Sequence, residues 1–138
     1  MEIQLTVNTP KGKITFRCIP HLSKCKEDLL IEPEFYVRYS KAGVPFGDHY
    51  ELELLETPWL PEGAHSIHIH HNPHTNRNFV CWPSQLPTIK EAEQMFRVWC
   101  VGTAYTLIHG MDFVTLFEGD FMKFLNYMEK MCGIIIEE

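Results

Sequence analysis

At 138 residues the chain has the length of one domain, and 45% hydrophobic against 22% charged residues excludes a disordered chain. With 12 basic and 18 acidic residues, net −6, it lacks the basic face that nucleic acid phosphates or an anionic membrane surface would require. No window approaches ~18 consecutive apolar residues, and Met1 to Leu5 lacks the basic flank and apolar run of a signal peptide, so a soluble cytoplasmic protein is expected.

Gln4 to Val7 and Lys13 to Ile19 alternate around Asn8-Thr9-Pro10-Lys11-Gly12, which predicts a hairpin. The stretch from His21 to Pro33 is ambiguous: its charges and Pro33 favour a loop, with a short turn of helix as the alternative. Phe35 to Tyr39 is aromatic and β-branched, a strand, and Ala42 to Asp48 a turn. Tyr50, Leu52 and Leu54 alternate with Glu51 and Glu53, which predicts a strand with one buried and one solvated face. Thr57 to Gly63 reads as a loop. Ser66 to His70 reads as a short strand, with His68 and His70 on one face. His71 to Pro87 is a long irregular stretch whose one apolar island is Phe79-Val80-Cys81-Trp82, and a loop of that length in a small domain is often functional.

Thr88 is an N-cap with Glu91 in the capping-box position, and Ile89, Ala92, Met95, Phe96, Trp99, Thr103 and Leu107 follow at helical spacing until Gly110. Phe113 to Phe117 is a short extended stretch. Asp120 caps a last helix with Phe121, Phe124, Leu125, Met128 and Met131 as its buried stripe, and Gly133 ends it. The whole predicts a single α+β domain over residues 1–138: an antiparallel meander of about four strands, a long loop, and two C-terminal helices packed on the sheet.

The five cysteines, Cys18, Cys25, Cys81, Cys100 and Cys132, form no Cys-x-x-Cys pair, and their odd number does not suit a disulfide framework. A reducing compartment is expected, with Cys18, Cys100 and Cys132 buried and inert. Cys25 lies between Lys24 and Lys26 without a partner constellation.

Five histidines fall between His65 and His74. His68 and His70 on one strand face, with His65, His71 or His74 as a third ligand, would suit zinc. The stretch partly resembles the JAB or MPN-type metallopeptidases, whose His-x-His-Pro and Pro-Ser-x-x-Asp are met here by His68-Ile69-His70-His71 and Pro83-Ser84-Gln85-Leu86-Pro87. Pro87 stands where the metal-binding aspartate would be and offers no ligand atom, and the nearest substitute, Glu91, lies inside the following helix. A histidine on a solvent-facing strand needs no metal, and no cofactor is expected.

Cys81 has different neighbours. It follows a run of Asn, His and Pro and is flanked by Val80 and Trp82, apolar side chains suited to pin the loop to the core. Asn78, like a glycine, tolerates positive φ. A thiol held among amides and imidazoles suits nucleophilic chemistry, either with a histidine base or by thioester exchange, which needs no depressed pKa.

These residues resemble the ubiquitin-conjugating enzymes, and more closely their prokaryotic branch, found in operons with ubiquitin-activating-like or deubiquitinase-like proteins, several of them antiphage defence systems. The family's His-Pro-Asn, followed by Ile-Cys-Leu with histidine ten residues before cysteine, is met by His71-Asn72-Pro73 and Val80-Cys81-Trp82 at the same spacing, with Asn and Pro exchanged. The family's loop glycine falls at Asn78, and Pro73-His74 resembles the Pro-His pair of prokaryotic members. Upstream, Phe35-Tyr36-Val37-Arg38-Tyr39, the turn at Val44-Pro45, the strand Tyr50 to Leu55 and Pro58-Trp59-Leu60-Pro61 follow the family order, as does Leu86-Pro87-Thr88-Ile89 downstream. No N-terminal helix precedes the strands.

The resemblance implies that Cys81 accepts a ubiquitin-like or other protein C-terminus as a thioester from an activating-enzyme-like partner and passes it to a lysine of a target protein. It implies that His71 organises the loop and leaves the oxyanion role among Asn72, His74, Asn76 and Asn78. A non-catalytic binding module of the same fold, with an unreactive Cys81, is the other reading of these residues.

Overall fold

In the computed structural model the described residues are 1–23, 48–56, 68–73, 75–81, 86–110 and 120–138. The expected strand Phe35 to Tyr39, the stretch Phe113 to Phe117, the loop Thr57 to Gly63, Cys25, His65, His74 and Trp82 lie outside them.

The alternating N-terminus forms the expected hairpin, β1 (Ile3–Thr9) with β2 (Gly12–Ser23). β2 runs past the expected Ile19 to Ser23, through Pro20. Leu55 N–H donates to the Arg17 carbonyl at 3.1 Å, so the odd residues of β2 bond toward β3 (His49–Leu54) and the even ones toward β1. Cys18 pairs with Ile3, the first residue of β1. Pro20 therefore points its nitrogen where β1 has already ended, and no ladder bond is lost.

β4 (Ile69–Asn72) overlaps the end of the expected Ser66 to His70 strand and runs on into the stretch that the sequence presents as irregular, and β5 (Arg77–Val80) lies wholly inside that stretch. β6 (Ile135–Ile136) closes the chain against β1. The six strands form one antiparallel sheet in the order β4-β5-β3-β2-β1-β6. Among the described residues the sheet has six strands, more than the expected four, with β1, β2 and β3 adjacent in chain order and β5 inserted between β3 and β4.

Helix α1 (Ile89–His109) begins where expected: the Thr88 hydroxyl accepts the Glu91 N–H, and Gly110 ends the helix at φ 68°, its N–H donating to the Thr106 carbonyl. The expected stripe is buried at Ala92, Met95, Phe96, Trp99 and Thr103, and so are Val98, Cys100, Val101, Ala104 and Thr106 outside it. The helix packs on the sheet and also against α2 (Phe121–Tyr127), which accounts for burial on more than one side. Trp99 anchors this core, edge-on to Phe16 at 5.4 Å and stacked on Phe96 at 5.8 Å.

Asp120 caps α2 through the Lys123 N–H, and a π turn (Met128–Cys132) continues it to Gly133. Phe124 and Met128 are buried as expected, but Met131 is 68% exposed. The wider π turn advances fewer degrees per residue than an α-helix, which rotates Met131 off the buried stripe. Cys132, expected to be buried, is half-exposed.

The second sheet face is not solvated as the alternation suggests. Glu51 is 6% exposed and His49 3%, with His49 Nε2 3.4 Å from Glu51 Oε1. Glu53 sits between His21 Nε2 at 2.7 Å and Arg77 Nε at 3.7 Å. A carboxylate with a polar or basic side chain beside it can leave water where a bare one could not. Among the described residues no helix is long and apolar enough to cross a membrane.

Trp99→Ala is expected to destabilise the fold by about 3–5 kcal/mol and Thr88→Ala by about 1 kcal/mol, read from urea unfolding midpoints with unchanged slopes. A Thr88→Ala loss as large as that of Trp99→Ala would mean that the helix start, not the core, limits stability.

Candidate functional site

The hairpin that leads to Cys81 is short and polar. Asn72 pairs with Arg77, and the Asn76 N–H donates to the Asn72 carbonyl at 2.8 Å where the hairpin reverses. Asn76 takes the left-handed conformation, φ 57°. The sequence assigns that tolerance to Asn78, but Asn78 is extended within β5, opposite His71. Asn and His are side chains that enter this region at modest cost, so the turn selects Asn76 by position.

His71 and Asn78 are joined. The Asn78 Oδ1 accepts from His71 Nδ1 at 2.7 Å, which fixes the ring proton on Nδ1 when the imidazole is neutral. His71 is exposed and Asn78 half-buried. The bond locks one rung of the hairpin and orients the ring.

Cys81 follows β5 directly. Its N–H donates to the His68 carbonyl at 2.6 Å, which extends the ladder one step beyond the Ile69–Val80 pair. His68 has φ 57°, so β4 starts at Ile69 and not at Ser66. The expected strand alternation that places His68 and His70 on one face does not reach His68.

Among the candidates, the structure brings His71 and Asn78 together and sets neither on the Cys81 rung. Cys81 is three positions beyond Asn78, about 10 Å along a strand, and alternation turns the two to opposite faces. Asn72 is 6% exposed, on the rung that closes the turn, about 13 Å along the strand from the Cys81 end. The residue whose main chain holds Cys81 is His68, which the sequence presents only as a metal ligand. The signal for it was available in principle: a hairpin turning at Pro73 to Asn76 sets residues 68 and 81 opposite each other.

The thiols differ sharply. Burial pushes the Cys18 thiol up to about 12, and raises Cys100 well above the ordinary thiol range. Cys81 is half-exposed at a strand end. Among the described residues no three His, Cys, Asp or Glu side chains are grouped as a metal site requires. No family model, curated protein or solved structure matches the chain.

Alkylation of the folded protein with iodoacetamide at about pH 8, mapped by peptide mass, is expected to label Cys81 and leave Cys18 and Cys100 unmodified until the chain is unfolded. Cys18 holds its proton more tightly folded than unfolded, so its contribution to stability is present below the ordinary thiol value of 9.0 and is lost as pH rises from there toward about 12. A unfolding midpoint that rises across that window would contradict the buried placement of Cys18.

Proposed function

We propose that this protein is an acyl carrier of the ubiquitin-conjugating type, with Cys81 as the carrier thiol. The observation that carries the reading is the presentation of Cys81: a half-exposed thiol whose backbone amide is pinned to the His68 carbonyl at the end of β5, shortly before α1. The order of sheet, hairpin, cysteine and helix supports the same reading, as does the inertness of the buried Cys18 and Cys100.

The chemistry is two exchanges. The Cys81 thiolate attacks the carbonyl carbon of a protein C-terminus held as a thioester on an activating partner, and the partner's thiolate leaves. A target lysine amine then attacks the new thioester, an amide forms, the carbon–sulfur bond breaks, and the proton lost by the amine returns to the Cys81 thiolate. The first exchange is near thermoneutral and proceeds with a thiol of ordinary pKa. The second is assisted by donors to the developing oxyanion. Asn72 and Asn78, about 13 and 10 Å along the strand from Cys81, stand too far away to donate there, and His71 orders the hairpin through Asn78.

Non-reducing intact-mass measurement on protein isolated from the host that makes it is expected to show a protein-sized adduct. Thiol reductant removes that adduct, and Cys81→Ala lacks it. An adduct that survives Cys81→Ala, or stoichiometric zinc with no adduct, sinks the proposal. His71→Ala is expected to lower the transfer rate while the adduct still forms, since His71 acts through the hairpin.

A further inference from the structure

A groove of about 170 Å³ opens between α2 and β6, lined by the apolar Val101, Leu125, Ile134 and Ile136 and by the charged Arg97, Glu129 and Glu138. It lies at the other end of the sheet from β5, four strand spacings or about 19 Å away. It is smaller than the ~300–1,000 Å³ of a small-molecule pocket and suits one or two side chains. Six large hydrophobic side chains are exposed among the described residues, and four of them, Met122, Tyr127, Met131 and Ile135, belong to α2, its π turn and β6. That concentration marks an interaction surface.

The strand edge beside the groove says what shape fits. The Glu137 N–H donates to the Thr6 carbonyl at 2.8 Å, and Asn8 pairs with Ile135. Alternation then turns the N–H and C=O of Ile136 outward, on the side where no further strand pairs among the described residues. A strand added there would bond the Ile136 main chain and lay alternate side chains into the groove against α2.

Arg97 says what charge fits. Its guanidinium holds the carboxylate of Glu138, a side chain that is 77% exposed and so is readily exchanged. The outward ladder at β6 is very short, so a segment held there needs a second anchor. Arg97 supplies one for a chain end. We infer that this groove docks the extended C-terminal end of a partner polypeptide, apolar at alternate positions, with its terminal carboxylate replacing Glu138 on Arg97. The inference does not rest on Cys81.

The test is fluorescence anisotropy with the full chain and a labelled Lys-Thr-Val-Thr-Ile-Val peptide, as free acid and as C-terminal amide. The acid is expected to bind about tenfold or more tighter than the amide, the worth of a charge-assisted hydrogen bond. Arg97→Gln should abolish that difference with the fold intact by circular dichroism, and Glu138→Gln should tighten the acid by removing the internal competitor. Equal binding of acid and amide overturns the inference, as does no saturable binding of the acid to either wild type or Glu138→Gln. A dimer by sedimentation that Ile135→Asp dissolves also overturns it, since a second copy would then be the occupant.

Discussion

The structure depends on one contact: Trp99, without solvent exposure, wedged edge-on to Phe16 of β2 and stacked on Phe96 of its own helix. Through it α1 is fixed to the middle of the sheet. β2 is the strand that pairs with both β1 and β3, so fixing α1 to β2 fixes its relation to the whole antiparallel ladder. Leu86, just ahead of the helix, accepts the Tyr50 N–H through its carbonyl at 2.8 Å, and ties the helix entry to β3. The position of Cys81, five residues before that anchor and one step after β5, follows from these two attachments.

The opposite face of the sheet is held by charge. His21, Glu53 and Arg77 come from β2, β3 and β5, so the His21–Glu53 hydrogen bond and the Arg77–Glu53 ion pair together cross three adjacent strands. Arg77 opens β5, and its contact with Glu53 helps to set a four-residue strand that hydrophobic burial alone would hold weakly. Such partly exposed pairs add only modest stability, about 1 kcal/mol or less each. Their contribution is better read as register: Glu53 pairs with Phe79, and a slip by one residue would turn Phe79 out of its buried site.

What was legible in the sequence was what local chemistry decides. Thr88, Gly110, Asp120 and Gly133 mark helix ends because caps and left-handed stops depend on few neighbours. The β1–β2 hairpin shows in its alternation. β5 was hidden because Arg77 and Asn78 carry no strand pattern and depend on β3 and β4 for their pairing. β6 was hidden because two residues are too few for any period. Glu51 was misassigned to solvent because burial of a carboxylate rests on the partner it finds, here His49, which periodicity does not weigh. At the site, the sequence marked His71, Asn78 and Cys81 but not their grouping: strand pairing joins His71 to Asn78 and gives Cys81 to His68.

That grouping bears on which thiol chemistry the hairpin suits. A protease-like cysteine needs its base within hydrogen-bond reach of the sulfur. His71 is three rungs away and bonded through Nδ1 to Asn78, so it is placed to brace the hairpin. Thioester exchange makes the opposite demand. The incoming acyl group arrives already activated, and the thiol needs access and a fixed approach more than a depressed pKa. A half-exposed sulfur on a backbone held at 2.6 Å meets that demand, because the rigid part is the main chain and the open part is the side chain. The hairpin's two locks, His71 with Asn78 and Cys81 with His68, fix the main chain on which Cys81 stands, and the proposed carrier role asks for that rigidity.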